Sequence, residues 1–220
     1  MAEEARPLVR RLGLRARARG AHGRFAGHEV TLALGGVGLA AARRAASELV
    51  AGGCDRLLSV GLAGGLHPDL AVGEVVALDA VVADGGQRWS VAWPARGDRR
   101  GVCLTRAQPT GSATEKAHWR AASGADVVDM ETAAVAAVAT EHARPWAGLR
   151  AVSDAAHESL PPAIVACIRP DLGRVLVGRL LVGAVVRPWL WPHLVRLGLR
   201  SAAAGQALAS AVVATLESLA

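Results

Sequence analysis

Two stretches of the chain place acids where apolar runs end. Val127–Ala139 reads VVDMETAAVAAVA and delivers Asp129 and Glu131; Ala151–Ala156 reads AVSDAA and delivers Asp154. In an α/β protein, ligands sit in the crevice beyond the carboxyl ends of the strands. Two strand ends carrying carboxylates can therefore face one pocket. The plainer alternative is that they are ordinary strand-end and N-cap carboxylates. A small-residue helix over Thr132–His142 follows the first acid pair and sets its direction.

A second candidate is the glycine turn. Gly36-Val37-Gly38-Leu39-Ala40-Ala41 fits G-x-G-x-x-A, after a strand expected at Glu29–Leu34 and before a helix. In a dinucleotide fold the ribose-binding acid closes the second strand, whereas Asp55 precedes its strand, Arg56–Val60. The glycines read more simply as a tight strand-to-helix turn whose amides can approach an anion. Cys54, Cys103 and Cys167 form no CxxC pair, and the seven histidines lack HExxH spacing. No metal or organic cofactor is expected.

The elements that must position these residues alternate along the chain. Glu3, Glu4 and Pro7 mark a helix start, with the arginines behind them on a solvated face. Gly20–Gly27 reads as a turn region. Leu57–Val60 is a buried strand that breaks into GLAGGL, and Val72–Leu78 is another. Ala83–Arg100 reads as a long loop whose Trp89 and Trp93 would form a lid or contact surface. A short strand at Val102–Thr105 and a Ser/Thr-capped helix at Thr114–Ala121 lead into the acid-bearing stretch. After Asp154 the chain turns at Pro161-Pro162. Val175–Val186 is nearly continuously apolar and runs into RPWLWPHLVRLGLR. Spanning a bilayer takes about 20 apolar residues, more than this run has before Pro188. Trp189, Trp191, Arg187, Arg196 and Arg200 suit a membrane interface; a core or subunit-contact helix is the alternative. A final helix is expected at Gly205–Leu219.

A chain of 220 residues, 52% of them hydrophobic, is long and apolar enough for a single domain with a full core. The net charge of +6 is carried almost wholly by arginine, Lys116 being the only lysine. It permits attraction to anionic headgroups or phosphates. With no tyrosine and one phenylalanine, Phe25, the chain has no aromatic platform for single-stranded nucleic acid. Glu3 and Glu4 stand where the basic start of a signal peptide would lie, so a cytoplasmic location is expected.

Four motifs, in order and at fitting intervals, resemble the nucleoside phosphorylase and nucleosidase superfamily, especially the branch containing 5′-methylthioadenosine/S-adenosylhomocysteine nucleosidase. MAEEA at Met1–Ala5 is similar to G-A-M-E-E-E, and GLAGGLHPDLAVGEVV at Gly61–Val76 to S-A-G-G-L…V-G-D-I-V. VDMETAAVA at Val128–Ala136 is similar to V-E-M-E-A-A-A-[IV]-A, and AVSDAA to R-x-I-S-D-x-A. The resemblance implies an α/β fold: a three-layer αβα sandwich around a mixed, mostly parallel sheet. It implies cleavage of a purine N-glycosidic bond through an oxocarbenium-like transition state. Asp154 would stabilise or protonate purine N7, and Ser153 would orient it. Glu131, with Asp129 beside it, would grip the ribose hydroxyls, and Met130 would pack on the sugar. Glu4 would activate water. Gly36 and the backbone of Leu62, Ala63 and Gly64 would line the sugar and nucleophile side.

The departures are specific. The family's opening strand precedes its G-A-M, and no such strand precedes Met1 here, so the first strand is expected to be missing or to be encoded upstream. RAQPTGS at Arg106–Ser112 stands for D-A-F-I-N-G-S, which puts Gln108 where a phenylalanine stacks on the base. Ser59 occupies the place of a phosphate-binding arginine. Glu4 without that arginine leans toward water, with inorganic phosphate the other co-substrate; Arg6, Arg43 and Arg44 remain to serve it. Thr110, Glu115-Lys116, SLPP and IRPD look most like the hopanoid-associated phosphorylase branch, which implies adenine removal from adenosylhopane. The expected partner is a small-molecule or lipid-linked adenine nucleoside. The apolar entrance would come from residues 175–200 and the tryptophan loop, with peripheral contact at the inner membrane surface. The resemblance also implies a homodimer. The alternatives are a soluble methylthioadenosine or adenosylhomocysteine nucleosidase, and a non-catalytic membrane-associated binding protein of the same fold.

Overall fold

The computed structural model describes residues 2–176, 178 and 191–219, with side chains from Ala5 onward except that of His193. The chain opens with α1 (Ala2–Arg11), followed by three antiparallel strands: β1 (Arg15–Arg17), β2 (Gly20–Phe25) and β3 (His28–Ala33). The expected turn region at Gly20–Gly27 is thus mostly strand. The reversal is confined to Ala26 and Gly27, both at positive φ. Ladder pairing from Gly20↔Ala33 to Phe25↔His28 outweighs the turn propensity of the glycines.

A six-stranded sheet follows, in the order β6-β5-β7-β8-β4-β9, and β5 also pairs with β9. Its strands are β4 (Leu57–Gly65), β5 (Val75–Ala83), β6 (Arg88–Ser90), β7 (Arg99–Thr105), β8 (Val127–Asp129) and β9 (Trp146–Asp154). The β4/β9, β5/β7 and β7/β8 pairings are parallel; β4/β8, β5/β6 and β5/β9 are antiparallel. Among the described residues the three-stranded sheet is not hydrogen-bonded to the larger one.

Alternate side chains of the large sheet feed two cores, as period-2 strands require. Val76, Leu78, Trp146 and Val152 pack with the alanines of α2 (Leu39–Ala51) and α4 (Thr132–Glu141). Val75, Ala77, Leu149 and Ala151 pack with Leu8 and Leu12 of α1 and with Ala204, Leu208 and Val212 of the C-terminal helix α6 (Trp191–Glu217). Helices thus cover both faces of a mixed central sheet.

Three expected boundaries move. Strand β4 does not break at Gly61 but runs through Gly65, because Leu57–Ala63 stay paired with β9 and Gly64 and Gly65 with β8. Strand β5 begins at Val75, since Ala71–Glu74 form a turn. The long loop is part strand: Val81 of β5 pairs with Trp89 of β6. Trp89 packs on one core and Trp93 on the other, so the tryptophans are core components rather than a lid. Helix α6 is already formed at Trp191, well before Gly205. Its span Leu194–Glu217 is long and apolar enough to cross a membrane by length and composition. The apolar run at Val175–Val186, and Arg187 and Trp189, fall largely outside the described residues.

Candidate active site

The end of β4 is the anchor. Gly64 pairs with Val128 on one side and with Asp154 on the other, so β8 and β9 deliver their acids to the two flanks of one strand end. The packing at Gly64 is close: a Cβ there would sit 3.3 Å from Val128 Cγ1 and 3.4 Å from Asp154 Oδ2.

Asp129 points inward, with only 4% of its surface exposed. Its Oδ1 accepts from Thr105 Oγ1 at 2.6 Å, and its Oδ2 from the Thr132 amide at 3.0 Å and from Arg150 Nε at 2.8 Å; the Thr132 hydroxyl also bonds Oδ2. Arg150 is 2% exposed, and its Nη2 donates to Ser59 Oγ at 2.7 Å and Thr132 Oγ1 at 2.5 Å. Burial alone would raise the Asp129 carboxyl; the Arg150 guanidinium and the two threonines together hold it below its ordinary value. For Asp129 the plainer reading is therefore apt. It ties β8 to the first turn of α4 and lies beneath the site, not on its surface. Ser59 is part of the same buried network.

Glu131 faces the other way, onto the glycine turn. Its Oε1 accepts from the Gly38 amide at 2.8 Å and its Oε2 from the Met130 amide at 3.2 Å. Burial, and then the neighbouring Asp129 charge, push its carboxyl up to about 7. Gly38 is held at φ +88°, ψ 168°, and a Cβ there would stand 2.8 Å from Pro170 Cβ. The short hairpin of β10 (Ile168–Arg169) and β11 (Arg174–Val175), with a 3₁₀ turn at Pro170–Leu172, lies against this turn; the Val37 amide donates to Gly173 O at 3.0 Å. Between the start of α2, Gln108 and Ile168–Asp171 lies a cleft of about 360 Å³. Gln108 is exposed at its rim. A larger cavity of about 910 Å³, between α1, the small sheet and Gln206, shares no residue with the acid-bearing strand ends.

Asp154, 6% exposed, is gripped on both oxygens. Ser153 Oγ lies 2.6 Å from Oδ1 and 3.1 Å from Ala63 O. On the other side Lys116 Nζ donates to Oδ2, to Ala155 O at 2.7 Å and to Glu158 O at 2.9 Å. Lys116 is wholly buried. It comes from α3 (Ala113–Ser123), whose start is fixed by a reciprocal cap between Ser112 and Glu115. Glu158 in turn takes Arg200 Nη1 of α6 at 2.7 and 2.8 Å, and burial notwithstanding, that guanidinium holds its carboxyl below the ordinary value.

Of the residues expected at the site, Gly36, Ala63, Gly64, Met130, Glu131, Ser153 and Asp154 stand at the strand ends flanking β4 or on the glycine turn that Glu131 touches. Leu62 lies on the same strand. Glu4 lies on α1, but its side chain is outside the described residues. Arg43 is paired with Glu141 at 2.6 Å across α2 and α4. Two residues were not singled out from sequence. Lys116 had two signals, its uniqueness in an arginine-rich chain and its place in Glu115-Lys116; Arg150 had its position at the start of the motif R-x-I-S-D-x-A. Among the described residues, no three His, Cys, Asp or Glu side chains are grouped to hold a metal.

A family model described as the phosphorylase superfamily matches residues 2–92 and 98–165. No curated protein matches the sequence. Solved structures do. The 5′-methylthioadenosine/S-adenosylhomocysteine nucleosidase of S. pneumoniae with a transition-state inhibitor superposes with a TM-score of 0.75 at 19% identity, over 100% of this chain and 96% of that one. The nucleosidase of the same name from Helicobacter pylori, with butyl-thio-DADMe-Immucillin-A, gives 0.72 at 16% identity over 99% and 95%. Futalosine hydrolase of Helicobacter pylori gives 0.72 at 16% identity over 100% and 95%.

Proposed function

The chain belongs to the phosphorylase superfamily, and we propose that its site cleaves the N-glycosidic bond of an adenine nucleoside, with water as acceptor. The observation that carries this reading is the placement of Asp154, buried, and Glu131, partly buried, on the two flanks of the β4 end, each held by defined partners. The two carboxylates have different environments, as acid–base pairs with divided roles require. Asp154 serves the leaving base at N7. Glu131 in its charged form grips the ribose hydroxyls and favours the cationic charge that builds on the sugar. Met130 packs on the sugar, and Glu4 activates the water. The structural neighbours named for nucleosidase and hydrolase activity support this chemistry.

For the substrate we propose adenosylhopane. Exposed apolar side chains favour it: Leu172 and Val175 on the hairpin, and Trp191, Val195 and Leu199 at the start of α6. Arg200, on that same helix, bonds Glu158 in the loop behind Asp154. A lipid-linked substituent needs apolar surface at the entrance and access to a membrane. Methylthioadenosine is the second reading, favoured by the two neighbours named for it. Adenine release, followed by chromatography with each compound offered separately and with or without phosphate, tests the proposal. Release from adenosylhopane alone supports the lipid reading. Release from methylthioadenosine alone replaces it with the soluble one, phosphate dependence replaces water, and release from neither refutes the chemistry.

A further inference from the structure

Lys116 is a buried charge beside Asp154 that the reading above leaves without work. It is the only lysine in the chain and is wholly buried. Its three ammonium hydrogens have three acceptors: Asp154 Oδ2, Ala155 O and Glu158 O. Burying an ammonium costs several kcal/mol, and an apolar side chain would fill the same volume without that cost. The other charged groups facing the pair are Glu158, from the loop after β9, and Arg200, from α6, which neutralise one another; His157 adjoins Glu158. The ammonium is wholly buried and the Asp154 carboxylate nearly so, at the end of β4.

We infer that Lys116 is a positioning residue for bond breaking, holding behind Asp154 the proton that the departing purine takes. The inference rests on the proposed glycosidic cleavage. As the C1′–N9 bond breaks, its electron pair goes to the purine. Nζ passes a proton to Asp154 Oδ2, and the carboxyl passes that same proton on to purine N7. Lys116 is left as a neutral amine. The attacking water forms the C1′–O bond and gives one proton to Glu4, which releases it to solvent, from which Lys116 regains its own. The cycle consumes one water and yields ribose and neutral purine. Lysine can give up this proton; arginine, which keeps its proton, cannot.

Two variants test this: Lys116→Met, which removes the charge, and Lys116→Arg, which keeps the charge but not the transferable proton. Each is assayed on an adenine nucleoside and on 4-nitrophenyl riboside, whose nitrophenolate departs without a proton. Either variant that folds decides the matter. The expected result is a fall of about 100-fold or more in kcat on the adenine nucleoside, with KM little changed, and a fall of at most about threefold on the nitrophenyl riboside. In Lys116→Met, Asp154 must collect its proton from solvent, so the ratio of adenine to nitrophenyl turnover rises as pH is lowered. Glu131 acts on the ribose of both substrates and cancels in that ratio. Equal losses on both substrates, or full adenine turnover in Lys116→Arg, overturn the inference. A wild-type protein that opens no adenine nucleoside refutes the proposed function instead.

Discussion

At the scale of single residues, Glu131 and Arg150 each make a measurable claim. Glu131 is raised to about 7, so its working carboxylate is lost as pH falls through that value. Turnover should therefore rise with pH through about 7, and Glu131→Gln should lose activity on the order of 100-fold and flatten this limb. The sign for stability is opposite. Between the ordinary glutamate value and 7 the folded state holds a proton that the unfolded chain has released. Stability therefore falls as pH rises across that window, by on the order of 3 kcal/mol. Melting temperatures of wild type and Glu131→Gln from pH 5 to 8 check this: the slope should shrink in the variant. Arg150 is a stability residue. Replacing it by Met strands the Asp129 carboxylate in the core and should cost about 3–5 kcal/mol in denaturant unfolding. Sequence alone revealed the acids because they close apolar runs. It did not reveal that Asp129 turns inward while Glu131 turns outward, because that depends on Arg150 and Thr105 arriving from other strands.

At the scale of elements, the site is made where strands end and helices begin. A Ser/Thr cap on α3 was legible, since a local signal suffices there; its identity as the Ser112–Glu115 pair comes from the structure. The Gly20–Phe25 strand and Trp89 of β6 were not, because only pairing with a neighbour outweighs glycine-rich composition. The glycine turn shows what such a junction demands. Gly38 has a backbone conformation open essentially to glycine, and its amide holds Glu131. Gly38→Ala brings a Cβ against Pro170 and backbone strain of about 1–3 kcal/mol. We expect both a lower melting temperature and a turnover loss larger than that destabilisation accounts for, because the bond to Glu131 is displaced. A variant with lowered stability and unchanged kcat would detach the turn from the chemistry.

At the scale of the whole molecule, α/β layers were legible from alternating apolar runs and alanine-rich helices, while helices on both faces of a mixed sheet followed only from the resemblance to the superfamily. The extra pairing of β5 with β9 was not, because it joins residues far apart in sequence. The exposed apolar residues of α6 and the hairpin predict association with anionic vesicles in co-sedimentation. Val195→Glu with Leu199→Glu should abolish it and slow adenosylhopane turnover while leaving methylthioadenosine turnover, where present, unaltered. Vesicle binding that survives both substitutions would move the contact elsewhere. The most direct test of the central claim is adenine release by Asp154→Asn beside the wild-type protein, with circular dichroism to verify the fold. The account predicts a folded variant with turnover reduced by about 10²–10⁴-fold. A folded Asp154→Asn protein that releases adenine at the wild-type rate would contradict it.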